Sequence, residues 1–133
     1  MAVEYRAIGS HDYEPLRQFL AELGWADRVQ DEARFRAMLE HADRAVVAVD
    51  GTRIVGFGRA LCDGVSNGYI SMVAVAGDRR RQGIGRGIVE WLTGGDVDGQ
   101  ITWVLRVGRE SHGFWARLGF SPSSMAMERV RKQ

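Results

Sequence analysis

Between Val73 and Gly87 the chain reads V-A-V-A-G-D-R-R-R-Q-G-I-G-R-G, residue types and a spacing suited to holding a diphosphate. Glycine lets the backbone come close to a ligand with no Cβ in the way. The residues before this run, Tyr69 to Val75, read as a strand, and those after it, with Ile84, Ile88, Trp91 and Leu92 on one side, as a helix. The first N–H groups of such a helix have no partner inside it, and the helix dipole adds partial positive charge at the same end. Arginines at 79, 80, 81 and 86 add fixed charge, each charge-assisted hydrogen bond contributing roughly 1.5–3 kcal/mol. The same glycines would also serve as turn and packing residues; four arginines beside them weigh for an anion site at a strand-loop-helix junction.

Other chemistry-bearing residues are scattered. His112 stands at the end of a predicted strand, one turn before Phe114, whereas His11 and His41 read as helix-end residues. Three separated histidines and one cysteine make no metal-ligand pattern. Cys62 ends a strand with no histidine beside it in sequence and reads as a small buried hydrophobe. The sole lysine, Lys132, is in the tail, which argues against Schiff-base chemistry. Asp63 precedes a glycine and reads first as a turn residue and second as a general base. Trp25 follows the first helix at a predicted loop, where it either packs or touches a ligand.

The elements that must position these residues are legible. Val3 to Ile8 reads as a strand. Ser10 or Asp12 then caps a helix with Pro15 in its first turn and Leu16, Phe19, Leu20 and Leu23 at i, i+3, i+4 and i+7. Gly24 ends it, and Asp31 opens a second helix facing inward with Phe35, Met38 and Leu39. Ala45 to Val49 and Thr52 to Leu61 read as a hairpin turned at Asp50-Gly51, and Gly56 and Gly58 suggest a bulge or a close approach. The strand Tyr69 to Val75 reads as buried on both faces. Ile101 to Val107 is a further strand, Phe114 to Leu118 a short helix stopped by Gly119, and Met125 to Val130 a last strand. The order β-α-α-β-β-β-α-β-α-β belongs to the α/β class.

The 133 residues suit one domain spanning 1–133. With 45% hydrophobic and 26% charged residues the chain is too apolar for disorder. A net charge of +1 gives no long-range pull on nucleic acid or membrane, so neither is expected as a partner. No apolar run approaches the roughly 18 residues that span a bilayer, and Met1-Ala2-Val3-Glu4 lacks a signal-peptide pattern. A lone cysteine forms no internal disulfide, and a cytoplasmic location is the expectation.

Two motifs carry a resemblance. Arg80-Arg81-Gln82-Gly83-Ile84-Gly85 resembles the Arg/Gln-x-x-Gly-x-Gly/Ala signature of the GNAT superfamily of acyl-CoA-dependent N-acetyltransferases, and Phe114-Trp115-Ala116-Arg117-Leu118-Gly119-Phe120 resembles its F-Y-x-x-L-G-F helix and turn. Met72-Val73-Ala74-Val75 is similar to the family's fourth strand. The resemblance implies a mixed, mostly antiparallel central sheet with a splayed parallel strand pair and helices on both faces. It implies acetyl-CoA as co-substrate, no metal, and direct transfer to an amine, whether of a small molecule or of a peptide end. Val73, Ala74 and Val75 would meet the pantetheine arm, the N–H of Val73 facing the thioester carbonyl. Arg80, Arg81, Gln82, Gly83, Ile84, Gly85, Arg86 and Gly87 would surround the pyrophosphate. Tyr69 lies close to where some relatives place a glutamate. Trp115 stands where the family has a proton-donating tyrosine, and Ser111, His112 or water would substitute. Tyr69, His112 and Trp115 join Val73 as catalytic candidates. Trp25 lies in a loop that borders the family's acceptor pocket. A homodimer through the sheet edges is compatible with the family. A non-catalytic acyl-CoA-binding module is the alternative; a dinucleotide-binding oxidoreductase fits less well, since the glycine loop lies far along the chain.

Overall fold

In a computed structural model, which describes residues 2–94 and 98–132, five strands form one sheet in the order β1 to β5. The strands are β1 (Glu4–Ala7), β2 (Arg44–Asp50), β3 (Arg53–Cys62), β4 (Asn67–Val75) and β5 (Thr102–Leu105). The first three junctions are antiparallel, and only β4 and β5 run parallel. The helices are α1 (Tyr13–Leu20), α2 (Ala26–Val29), α3 (Glu32–Glu40), α4 (Ile84–Thr93) and α5 (His112–Arg117).

Each face of the sheet carries its own core, as a sheet covered on both sides requires. On one face Leu16 and Leu20 of α1, Val29 of α2, and Phe35 and Leu39 of α3 pack on Val47, Val49, Phe57, Met72 and Ala74. On the other, Ile84, Ile88 and Leu92 of α4 and Trp115 of α5 pack on Val46, Ala48, Val55 and Ile70. The run Ala45–Val49 is buried throughout because β2 is central and covered on both sides.

Of the expected caps, Asp31 is made as read, whereas the Asp12 side chain bonds no N–H of α1. Asp31 accepts from the N–H of Arg34 (3.0 Å) to start α3. Asp12 precedes α1, and its carboxylate takes the Gly9 N–H and both terminal nitrogens of Arg6 (2.7 and 2.9 Å). Gly24, with φ +97°, breaks a wide turn over Ala21–Trp25 that joins α1 to α2. The glycines of β3 are where α4 rests. A Cβ on Gly58 would lie 2.5 Å from Ile88, and one on Gly56 2.7 Å from the same side chain.

Two further expectations need correction. β4 is buried on alternate residues only: Gly68, Ile70, Met72 and Ala74 are covered, while Tyr69, Ser71, Val73 and Val75 are half-buried. The partly open side is the side a ligand can use. Met125 to Val130 is not a strand, and Met125 and Met127 are almost fully exposed. Alternating residues make a strand only where a neighbouring edge receives their hydrogen bonds. Here an ion pair, Arg106–Glu128 (3.1 Å), ties the segment to the residue after β5.

Candidate active site

The site begins with a fault in β4. Arg59 of β3 pairs with Ser71, and Phe57 with Ala74, so Met72 and Val73 both face the single residue Gly58. Met72 takes φ +60°, a left-handed conformation a non-glycine residue rarely adopts. This is a β-bulge, which leaves an extra residue unpaired and bends the strand. Pairing of β4 with β5 runs only from Asn67–Thr102 to Ile70–Leu105. Beyond that point β4 continues to Val75 while β5 has ended, so the parallel pair opens into a V. A cleft of about 1190 Å³ lies there, with Val73, Ala74 and Val75 on one wall and Leu105, Gly108 and Ser111 on the other.

At the end of β4 the chain turns through Gly77–Arg79 and enters α4. Two ion pairs hold that turn against the β2–β3 hairpin: Arg53 with Asp78 (3.0 and 2.8 Å) and Arg79 with Asp50 (2.6 Å). Arg79, half-buried and neutralised by Asp50, is a brace and not a free charge. The next residues are free. Arg81 (φ +64°) and Gly83 (φ +81°) both take the left-handed conformation, which turns successive N–H groups to one side. The N–H groups of Gln82, Gly83, Ile84, Gly85 and Arg86 have no acceptor within the described chain; the first helical bond of α4 is Gly87 N–H to Gly83 O (3.0 Å). Five consecutive unpartnered amides at the positive end of a ten-residue helix open beside the cleft.

The other candidates divide. Arg80, Arg81, Gly83, Ile84, Gly85 and Arg86 line the cleft; Gln82 and Gly87 do not. Gly87 leaves the expected phosphate set. Its amide is spent in the helix, and a Cβ there would lie 2.5 Å from the Tyr5 ring, so it is small to seat α4 against β1. Gly85 is also a packing residue, since a Cβ would lie 2.9 Å from the ring of Phe114. That contact joins the two sequence motifs in space. Ile84 is core (2% exposed) and offers only its backbone.

Trp115 is 8% exposed and sits edge-on to Phe114 (5.0 Å) and Phe120 (5.2 Å), so it is part of the core while its edge borders the cleft. Ser111 borders the cleft too, its hydroxyl donating to Gly108 O (3.1 Å). His112 opens α5, is exposed, and lies outside the cleft lining. Tyr69 also lies outside the lining; it pairs with Leu61 and Val104, and its phenol is close enough to influence Arg59. Asp63 is a turn residue: its Oδ1 takes the N–H groups of Val65, Ser66 and Asn67 and its Oδ2 the Ser66 hydroxyl. These bonds hold its carboxyl far below the usual carboxylate range, the Ser66 hydroxyl contributing most, which makes it a poor base. Cys62 gives its amide to Asp43 (2.7 Å) at the end of β3.

Two functional candidates escaped the sequence. Arg28 of α2 lines the cleft next to Trp25, its guanidinium 5.1 Å from the indole. Arg59 of β3 lies outside the cleft lining, is half-buried and donates to Ser71 Oγ (3.1 Å). A lone arginine inside the apolar run Ile54 to Leu61 was the available signal for it. The lining carries seven arginines and one acid, Glu110; three of the arginines, Arg79, Arg86 and Arg106, are paired with Asp50, Glu90 and Glu128. Among the described residues no three His, Cys, Asp or Glu side chains gather as a metal site, and no helix is long and apolar enough to cross a membrane.

Residues 41–122, which contain the bulged strand, the amide cradle and α5, match the acetyltransferase (GNAT) domain. The chain belongs to the GNAT acetyltransferase family. This family uses acetyl-CoA as acyl donor. Its fold recurs in solved structures that are 19–22% identical to this GNAT chain. One, described as a GNAT-family acetyltransferase from Xanthomonas campestris pv. campestris, superposes with a TM-score of 0.79 at 22% identity, covering 98% of this chain and 94% of its own. An acetyltransferase from Trypanosoma brucei gives 0.74 at 20% identity, covering 98% and 100%. Glucosamine-6-phosphate N-acetyltransferase from Arabidopsis thaliana gives 0.71 at 19% identity, covering 99% and 100%. No curated protein matches the chain.

Proposed function

We propose that this GNAT chain is an N-acetyltransferase that moves an acetyl group from acetyl-CoA directly to a primary amine in a ternary complex. The observation that carries the reading is the row of five unpartnered amides at the start of α4, opening beside the gap between β4 and β5. Backbone donors there, with Arg80, Arg81 and Arg86, suit the pyrophosphate of CoA. The open edge of β4 over Val73 to Val75 suits the amide groups of pantetheine, which would add to it as a short strand. Acetyl-CoA supplies the thioester. The chain's part is to hold both substrates in one cleft, which replaces a bimolecular encounter by an oriented one, and to present the Val73 N–H to the carbonyl oxygen as charge builds there. The amine nitrogen bonds to the acetyl carbon, the carbon–sulfur bond breaks, and the proton lost by the amine balances the thiolate released. Of the two side chains offered as replacements for the family's tyrosine, Ser111 borders the cleft and His112 does not.

Calorimetric titration with acetyl-CoA, run beside NAD and ATP, followed by a thiol-release screen of amines, tests the reading. Binding of acetyl-CoA alone together with amine-dependent thiol release is the expected result. Absence of acetyl-CoA binding defeats it. One observation favours a second reading, a non-catalytic acyl-CoA-binding module: Trp115 is buried among aromatics where the family's acid would stand. Saturable acetyl-CoA binding with no turnover across the amine panel would establish that reading instead.

A further inference from the structure

We infer that Arg59 and Arg28 together hold an anionic group of the acceptor, so that the amine acetylated by this chain carries a carboxylate or a phosphate. The inference rests on the acetyl-transfer reading and adds the chemical class of the second substrate.

The other arginines that tie down this fold each meet a carboxylate or a carbonyl oxygen, although the Nη1 of Arg79 is also buried without a partner among the described residues. Arg6 meets Asp12, Arg53 meets Asp78, and Arg79 meets Asp50. Arg44 donates to the carbonyls of Leu92 and Gly94, at the negative end of α4, and lies over the Trp103 ring. Arg59 is the exception. Half-buried on β3, it has a single hydrogen bond, from Nη1 to the Ser71 hydroxyl. Among the described residues its Nε, cut off from solvent, has no partner, and its Nη2 has none either. Among the described residues no carboxylate lies within 4 Å of Arg59 or of Arg28. The groups that act on Arg59 from neighbouring elements are the Tyr69 phenol of β4 and Arg28 of α2. Burial foremost, and the positive charge of Arg28 after it, oppose its ionisation.

Removing a guanidinium from water on the same side of the sheet as a second positive charge is costly unless an anion answers it. Arg28 lines the cleft and is held against the face of Trp25, which lines it as well. Ser71 adjoins Met72 and Val73, which form the cleft floor where the β-bulge lies. Arg59 itself does not line the cleft; its bond to Ser71 places it on the α1–α2 side of the sheet, the side of Arg28 and across from the amide cradle of α4. A planar guanidinium with its fork unfilled recognises carboxylate or phosphate through two parallel bonds. An acceptor anchored there by its anion extends its amino group toward Val73.

The test uses the full chain and matched amines: an α-amino acid against its amide, and an amino-sugar phosphate against the unphosphorylated sugar. Each is followed by thiol release with acetyl-CoA and by calorimetric titration in the presence of CoA. In at least one pair the anionic member is expected to show kcat/KM, or affinity, higher by about tenfold or more, carried mainly by KM. The pair that discriminates identifies the anion as carboxylate or phosphate. Arg59→Gln and Arg28→Gln should each collapse that ratio toward one, and Arg59→Lys should recover part of it, since the charge stays while the fork is lost. Arg28 is exposed, so Arg28→Gln carries the test if Arg59→Gln fails to fold. Neutral members bound and used as well as anionic ones in both pairs, with acetyl-CoA still bound, would overturn the anion site and leave the acetyl-transfer reading standing. Failure of the unaltered chain to bind acetyl-CoA removes that reading and this inference with it.

Discussion

At the α4 end the cleft offers unpartnered backbone amides of five consecutive residues, whereas at the α2 end it offers the side chains of Trp25 and Arg28, with Arg59 and Ser71 proposed to act beside them. The first end is local: a bulged strand, two left-handed residues and a helix start point the amides one way whatever side chains surround them. The second exists only when the α1–α2 turn and the sheet are folded together. One end suits a ligand portion common to the whole family, and the other suits a portion that differs from relative to relative. Specificity placed on side chains can be altered residue by residue without disturbing the cradle.

The largest effect should come from unseating α4. Ile88 is fully buried and is the side chain that a Cβ on either Gly56 or Gly58 would strike. Ile88→Ala should cost about 2–5 kcal/mol, lowering the thermal midpoint and weakening acetyl-CoA binding together. A marked loss of stability with acetyl-CoA affinity unchanged would separate the cradle from the helix that carries it and break the comparison. Next is Gly83→Val. Nothing crowds Gly83, but its φ of +81° is costly for any residue with a Cβ, by roughly 1–2 kcal/mol. Acetyl-CoA affinity should fall about tenfold or more while the sheet stays folded. Full affinity in a folded variant would show that the amides are not the binding groups.

Asp12 sharpens the other half. It is 4% exposed and anchors the start of α1 through Arg6, whose bond is the largest cause holding its carboxyl below the ordinary value of 3.8. A carboxylate with a depressed native pKa stabilises the fold above its unfolded pKa, and the contribution fades as pH falls through the native value. Asp12→Asn should therefore cost about 1–3 kcal/mol at neutral pH and flatten the loss of stability below about pH 4. Unaltered acid unfolding in the variant would assign that pH dependence elsewhere. The smallest effect expected is at the leaving group. Ser111→Ala should lower kcat by a few-fold, roughly 0.5–1.5 kcal/mol of barrier, with little change in KM. Trp115→Tyr should not raise kcat, because the side chain lies among Phe114 and Phe120. A strong gain would show that a phenol placed at this position reaches the reacting sulfur.

Much of the fold is legible in the amino-acid sequence. The cap at Asp31, the turn at Gly51, the stripe Leu16–Phe19–Leu20 and the glycine rests Gly56 and Gly58 all fell where expected, because caps, tight turns and periodicity are local effects. Errors arose where a residue's environment depends on distant chain. Met125–Val130 alternates like a strand but pairs with neither edge of the sheet, and β4 reads as doubly buried because its sequence does not tell that β5 stops at Leu105. Asp63 and His112 had suitable chemistry, and only their partners and position removed them from the site. Gly87 matched a motif and proved to be the footprint of Tyr5, far earlier in the chain.

Local sequence was enough to specify the amide cradle, since backbone geometry around Arg81 and Gly83 needs no more than glycine, the preceding strand and the following helix. It was enough for the family too, through two motifs whose contact, Gly85 on Phe114, the fold then made visible. Which arginines are braces and which are free was settled by the folded arrangement alone. Arginine is charged in every context, so its role is set by whether a carboxylate is brought beside it. For Arg79 the β2–β3 turn supplies Asp50; for Arg59 and Arg28 the fold supplies none among the described residues.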